Sequence, residues 1–177
     1  MLLKSIKMSV ACCLFVFSFL AFAHGPLEGL ASELTLKNAK TYSNNYITGG
    51  QPSIDDLKKL AAASVKVVIN LRGEGEFSTF NEQRIVEELG MKYIALPIAG
   101  AKGVTAENVK KFSQIIANNT EKTLVHCASG NRVGAFFALD AFNFKNKTAE
   151  EALKIGKQTG LTRLESLVKK QMYMAED

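Results

Sequence analysis

The chain has 177 residues, of which 47% are hydrophobic, and this length and composition suit one domain with a sizeable core. It carries 22 basic and 17 acidic side chains, a formal net charge of +5, with no run of lysines or arginines. Such a mild and dispersed excess of positive charge argues against a dedicated nucleic-acid-binding surface.

The first 23 residues predict a secretory signal peptide. Lys4 and Lys7 precede an apolar run over 9–23, which ends in the small-x-small pattern "AFA" with cleavage expected after Ala23. The run is shorter than the roughly 20 residues of a membrane-spanning helix, and no later stretch is long enough either. We therefore expect an exported, periplasmic protein without a membrane span once the peptide is removed.

The remaining chain predicts an α/β fold. Residues 24–43 have little periodicity and are interpreted as an N-terminal arm preceding a domain over 44–177. Strands are predicted over 46–52, where the strand runs into a turn, and over 65–71, 91–98 and 122–127. Helices are predicted over 53–63, 79–89, from 105 onward and over 133–144, with two more beginning at 148 and 162. This alternation predicts a central, mostly parallel sheet of four to five strands flanked by helices.

Three of these helices carry a start signal in the sequence. An N-cap residue is followed three positions later by a carboxylate in the pairs Ser53 and Asp56, Thr148 and Glu151, and Thr162 and Glu165. In this pattern the two side chains satisfy each other's free backbone N–H groups, as in a capping box.

Cys127 is the one cysteine that would remain after cleavage, because Cys12 and Cys13 lie in the signal peptide. A lone cysteine in an exported protein is either a buried inert thiol or a reactive group, and it can form no intramolecular disulfide. The remaining histidines, His24 and His126, are too few to favour a zinc site. We expect neither a metal nor a cofactor.

The stretch "LVHCASGNRVGAFFALD" (124–140) places Cys127 between an apolar strand and an apolar helix. In an open α/β sheet, ligands bind at the carboxyl ends of the strands, and a helix N-terminus there attracts anions. Gly130 permits a tight loop, and the planar guanidinium of Arg132 can grip two oxygens of an oxyanion. The pattern predicts a thiolate nucleophile that faces a bound oxyanion, with His126 as a supporting group or an ordinary core residue.

"HCASGNR" after an apolar strand resembles the active-site loop of the cysteine-dependent tyrosine and dual-specificity phosphatases. "YITGGQPSIDDLKKLAAASVKVVINLR" (46–72) is similar to the opening of the same group. The subfamily with the greatest similarity is the bacterial beta-lactamase-hydrolase-like, phosphatase-like domain family.

The resemblance implies that Cys127 attacks phosphorus and forms a thiophosphate intermediate. Arg132 and a phosphate-binding loop would hold the phosphoryl oxygens; the loop comprises Ala128, Ser129, Gly130, Asn131, Arg132 and Val133. The implied partner is a phosphorylated small molecule or a phosphoprotein. The sequence contains no signal for the oligomeric state.

The sequence departs from the phosphatase pattern at three points. Four residues, rather than five, separate Cys127 from Arg132, although the bacterial subfamily shares this spacing. Val133 stands where Ser or Thr usually follows the arginine, and the segment "LPIAGAKGVT" (96–105) lacks the expected general-acid aspartate.

Glu74 and Glu76 are the candidate replacements for the general acid, on a loop that leaves the strand over 65–71. Gly73 and Gly75 would let this loop move. Arg72 could reach the same sheet edge as a second anion contact or pair with one of the two glutamates. A correctly placed general acid contributes about 10²–10⁴-fold to rate.

Two alternatives stay open from the sequence. A six-residue cysteine loop is also used by rhodanese-like sulfurtransferases, which would carry a persulfide on Cys127 and need no general acid. The chain lacks the "GHIxGA"-like segment of rhodaneses, which favours the phosphatase. The other alternative is a non-catalytic module that binds phosphorylated ligands with a vestigial loop.

Overall fold

The computed structural model describes residue 27 and residues 29–173. The predicted signal peptide and its cleavage site lie outside these residues. The helices are α1 (Leu30–Glu33), α2 (Ile54–Ala62), α3 (Glu82–Glu88), α4 (Ala106–Ala117), α5 (Asn131–Phe144), α6 (Ala149–Gln158) and α7 (Glu165–Tyr173). The strands are β1 (Lys40–Tyr42), β2 (Tyr46–Gly49), β3 (Val67–Arg72), β4 (Lys92–Ile98) and β5 (Thr123–His126).

The five strands form one sheet in the order β1-β2-β5-β3-β4. β2, β5, β3 and β4 run parallel to one another, and only the β1–β2 pair is antiparallel. The predicted α/β class, with a mostly parallel sheet of four to five strands, is confirmed. Because the parallel strands end at the same edge, the residues that follow β2, β3, β4 and β5 meet there.

Two apolar layers cover the sheet. Val67, Ile69 and Leu71 of β3 face one layer, which includes the buried residues of α4 and α5. Val68 of β3 and Leu124 of β5 face the other, which includes residues of α2 and α3. This alternation follows from the two-residue period of a strand, and it explains why the strands are apolar on both faces.

The capping signals in the sequence correctly predict where α2 and α6 begin. Both helices begin with a complete capping box, Ser53 with Asp56 and Thr148 with Glu151. The start predicted at Thr162 is three residues early, because α7 begins at Glu165. The start predicted at residue 79 is also early, since the side chain of Asn81 caps α3.

The segment 24–43 holds more structure than its weak periodicity indicates. It supplies α1 and the edge strand β1, and its buried residues Leu27, Leu34 and Leu36 belong to the α2–α3 layer. Thr35 donates two hydrogen bonds to the carboxylate of Asp56, at 2.8 and 2.6 Å. Burial raises the pKa of Asp56, but the hydrogen bonds from Thr35 and Ser53 outweigh burial and hold that pKa below its ordinary value.

Candidate active site

Cys127 follows β5 directly, at the sheet edge where the parallel strands end. Its backbone N–H donates to Gly49 O at 3.2 Å, which continues the pairing of β5 with β2. The thiol lies on the α5 side of the sheet and is 1% exposed. The cysteine is therefore buried at the start of its loop, on the same side of the sheet as α5.

The Gly-Gln-Pro turn after β2, residues 50–52, packs against the cysteine loop. Gly50 forms an isolated antiparallel bridge with Ser129. A Cβ atom on Gly50 would lie 3.0 Å from Ala128 O and 3.1 Å from the Cβ of Lys37. Glycine at this position therefore allows the turn to approach the loop closely, which links the two sequence segments that carry the family resemblance.

The loop enters α5 through Gly130, which has the left-handed φ of 82° and is the N-cap residue. Glycine provides no capping side chain, so the first N–H groups of α5 are not capped. These N–H groups and the helix dipole favour an anion at this point. Val133, which follows the arginine, is completely buried and has no hydroxyl group to offer the site.

Arg132 is 8% exposed and is held by groups from three segments. Its Nη1 atom donates to Leu71 O at 3.2 Å and to Ile98 O at 2.5 Å. Its two terminal nitrogens also pair with the carboxylate of Glu76, Nη1 with Oε1 at 2.8 Å and Nη2 with Oε2 at 2.5 Å. Burial lowers the pKa of Arg132, but the hydrogen bond to Glu76 and the electrostatic interactions with Cys127 and Glu76 outweigh it and raise that pKa overall.

Glu76 is brought into the site, but as the ionised partner of Arg132. The hydrogen bond from Arg132 holds the pKa of Glu76 below its ordinary value, and Gly73 N–H also donates to Oε1 at 3.0 Å. A carboxylate with a lowered pKa holds no proton to donate at neutral pH. In this arrangement Glu76 pairs with Arg132 and neutralises its charge, and its candidacy as general acid stays a prediction.

Arg72 supports the glutamate loop and does not line the pocket over the cysteine loop. Its Nη1 atom donates to the Gln51 side chain at 3.2 Å, and its Nη2 atom donates to the backbone oxygen of Glu76. The guanidinium also lies 5.1 Å from the ring centroid of Phe77. Glu74 is exposed and lines a neighbouring cavity of about 580 Å³, beside Pro97 and Gly100. Its assignment as general acid stays a prediction.

His126 lies on the opposite face of the sheet from Cys127, because neighbouring residues of a strand alternate. It is fully buried, and its Nε2 atom lies 2.9 Å from Oε1 of Glu82 on α3. The two atoms are close but poorly aligned for a hydrogen bond. His126 is therefore part of the core between β5 and α3 and does not contact the thiol side of the sheet.

A pocket of about 430 Å³ opens over the cysteine loop. Ala128, Ser129 and Asn131 line it together with Arg132, and the turn after β4 contributes Gly100 and Ala101. The only carboxylate that lines it, among residues the structure describes, is that of Glu76. Among the residues that the structure describes, no group of three or more His, Cys, Asp and Glu side chains could hold a metal ion.

No described helix is both long and apolar enough to cross a membrane.

Arg163 lines this pocket and was missed in the sequence. It stands between α6 and α7, and Asn131 fixes that segment: its Oδ1 atom accepts hydrogen bonds from Thr162 N at 2.9 Å and Leu164 N at 3.3 Å. The sequence shows Arg163 only as an ordinary charged residue near a helix start. Its approach to the cysteine loop depends on tertiary packing, which no local pattern encodes.

Comparison with known proteins agrees with this geometry. A family model described as "DSP-PTPase phosphatase fused to NAD+ Kinase" matches residues 30–173. A beta-lactamase hydrolase-like protein from Xylella fastidiosa is 32% identical over 94 residues, or 51% of this chain. The matched region spans only 22% of that relative's own length.

Solved structures share the fold at low sequence identity. A protein of the DUF442 phosphatase group from Shewanella putrefaciens has a TM-score of 0.62 and 20% identity, covering 85% of this chain and 93% of its own. TpbA from P. aeruginosa, solved in complex with phosphotyrosine, has a TM-score of 0.58 and 17% identity, covering 79% of this chain and 91% of its own. The family-model match over residues 30–173 confirms the family resemblance predicted from the cysteine loop.

Proposed function

The chain belongs to the DSP-PTPase family of cysteine-dependent phosphatases, and from this premise we propose that it hydrolyses phosphomonoesters through Cys127. The observation that supports the proposal is the position of Cys127 at the end of β5, three residues before the uncapped N-cap residue Gly130 of α5, with Arg132 at the second position of that helix. A thiolate nucleophile and a receptor for a phosphoryl group are thus combined in one loop.

The chemistry proceeds in two displacements. The Cys127 thiolate forms a bond to phosphorus as the bond from phosphorus to the leaving oxygen breaks, giving a thiophosphate on the enzyme. Water then attacks the same phosphorus, and the sulfur leaves as the thiolate. Because the one pocket carboxylate in the described chain is ionised, we expect good leaving groups, such as phenolates, to react fastest.

Access to the sulfur is part of the proposal, because the thiol is 1% exposed. Glu76 covers Arg132 from a loop that contains Gly75 with a φ of 70°. An incoming phosphoryl group would replace the Glu76 carboxylate on Arg132, since both are oxyanions suited to the guanidinium fork. Displacement of Glu76 would then free the Arg132 guanidinium to hold the phosphoryl oxygens.

We also propose that the enzyme acts outside the cytosol on a phosphorylated small molecule or phosphoprotein. Support for export comes from the basic and apolar segment ending at Ala23. N-terminal sequencing of the protein recovered from a periplasmic extract tests this: His24 is expected as the first residue, and an uncleaved cytosolic protein would refute it.

A paired assay on residues 24–177 tests the chemistry. One reaction measures phosphate release from 4-nitrophenyl phosphate, and the other measures thiocyanate formation from thiosulfate and cyanide. We expect phosphate release that falls at least about 10³-fold in Cys127→Ser and in Arg132→Ala. Circular dichroism spectra identical to wild type establish that the variants are folded.

Two other outcomes would replace the proposal. Cys127-dependent thiocyanate formation without phosphate release would identify a sulfurtransferase. A second candidate function, a phosphoryl-binding module, is favoured by the burial of Cys127. It would be identified by phosphate binding to Cys127→Ser with no turnover by wild type in either reaction.

A further inference from the structure

The pocket over the cysteine loop contains two arginines in different electrostatic states. Arg132 is paired with the carboxylate of Glu76 through two hydrogen bonds. Arg163 lines the same pocket and is exposed, and its side chain has no hydrogen bond or ion pair within the described residues. Glu76, Arg132 and Arg163 are the charged residues among those that line the pocket, so the pocket keeps one uncompensated positive charge.

The backbone around Arg163 is fixed to the cysteine loop. Asn131, which belongs to that loop, accepts hydrogen bonds from the backbone N–H groups on both sides of Arg163. A Cβ atom on Gly160 would lie 2.9 Å from Gly130 O, so the two segments pack backbone to backbone. Asn38 donates to Gly160 O at 3.0 Å and ties the same segment to the N-terminal arm. Arg163 therefore has a defined place beside the candidate phosphoryl site.

No carboxylate of the described chain neutralises Arg163. Glu165 is the acidic residue nearest in sequence, but it pairs with Lys157 at 3.3 Å and Lys169 at 2.8 Å. An exposed guanidinium that borders a pocket without a protein partner can bind an anion of the ligand, because its planar donors match carboxylate and phosphate oxygens.

We propose that Arg163 is a substrate-binding residue for a second anionic group, which lies beside the phosphoryl group that the cysteine loop holds. This rests on the proposed function. The preferred substrates are then small phosphomonoesters that also carry a carboxylate or another phosphate. A phosphorylated side chain in neutral surroundings would lack this contact.

The test compares substrates that differ by one charge at nearly constant size. These are 3- and 4-carboxyphenyl phosphate and their neutral carboxamide counterparts, assayed with residues 24–177. In Arg163→Gln, we expect KM for at least one carboxylate isomer to rise about tenfold, whereas KM for the carboxamides changes less than about twofold. The value of kcat should change little, and Arg163→Lys should restore part of the affinity because it keeps the charge.

Arg84→Gln is the matched control, because Arg84 is an exposed arginine on α3 that does not line the pocket. The Arg84→Gln substitution should leave the ratio of KM for each carboxylate to KM for its carboxamide unchanged. If Arg163→Gln changes carboxylates and carboxamides equally, or changes neither, the second-anion site does not exist. If Arg84→Gln lost the preference for carboxylates over carboxamides to the same extent, the second-anion site would also be overturned, because the net charge of the protein alone would then explain the preference.

Binding to Cys127→Ser separates failure of this proposal from failure of the proposed function. Titration calorimetry with the same four compounds needs no turnover. If Cys127→Ser binds a carboxylate isomer more tightly than its carboxamide, and this difference is lost when Arg163 is also replaced by Gln, the second-anion site is supported. This holds even if the wild-type protein releases no phosphate. Equal binding of carboxylates and carboxamides refutes it even if the wild-type protein is an active phosphatase.

Discussion

Arg132 shows how the short cysteine loop works at the level of single residues. Four residues separate it from Cys127, so it falls at the second position of α5. From there its Nη1 atom reaches Leu71 O in β3 and Ile98 O at the end of β4. These carbonyl groups orient the guanidinium independently of Glu76. The glutamate therefore contributes mainly negative charge, which competes with an incoming oxyanion.

Glu76→Gln should accordingly bind anions more tightly. Removing the carboxylate leaves the Arg132 charge uncompensated, while the two carbonyl groups still hold it in place. We expect the dissociation constant for sulfate at pH 7, measured by titration calorimetry, to fall about tenfold. Glu74→Gln removes a neighbouring exposed charge and is the control, with little change expected. Weaker sulfate binding in Glu76→Gln would show instead that Glu76 is required to position Arg132.

At the level of elements, α5 explains why the cysteine loop is rigidly placed. Its residues 132–141 are all buried, which is why its sequence is apolar almost all round. Gly134 permits a close contact of this helix: a Cβ atom there would lie 2.0 Å from Leu161 N and 2.7 Å from Gly156 O. The contact joins α5 to the segment that carries Arg163.

Gly134→Ala should therefore destabilise the protein by about 3 kcal/mol, because backbone atoms rather than flexible side chains oppose the added methyl group. Urea unfolding measures this loss as a lower midpoint at unchanged slope. Gly90→Ala is the control: its φ of 76° adds backbone strain, but no atom lies within 4 Å of the place that the added Cβ would take. An equal loss of stability in both variants would mean that the α5 contact is not the cause.

Local signals made several elements predictable from the sequence. The capping boxes at Ser53 and Thr148 mark the starts of α2 and α6, and the motif around Cys127 marks the candidate site. The start of α7 is different, because Asn131 holds the backbone N–H groups of Thr162 and Leu164. The start of α7 thus depends on Asn131, which lies 31 positions from Thr162 in the sequence, and the local capping signal alone does not predict it.

At the level of the whole molecule, long-range contacts account for what the sequence left unpredicted. Arg163 reaches the pocket only because α6 folds back on α5, and Glu76 meets Arg132 only across the sheet edge. The arm was hard to recognise because β1 has three residues, too few to show a strand period. Its burial and its bonds to Asp56 and Gly160 nevertheless make it part of the fold.

The arm should therefore be required for stability, although the sequence places the domain at 44–177. Leu27, Leu34 and Leu36 are at most 8% exposed, and burial of each contributes about 2 kcal/mol. Their sum, about 6 kcal/mol, is comparable with the total stability of many domains. We expect a chain over 44–177 to unfold without a cooperative urea transition, whereas 24–177 unfolds cooperatively. Thr35→Val in the 24–177 chain removes the hydroxyl hydrogen bond to Asp56 and leaves the three leucines in place. It should lower the urea midpoint only slightly. A truncated chain with an unchanged midpoint would show that 44–177 is the autonomous folding unit.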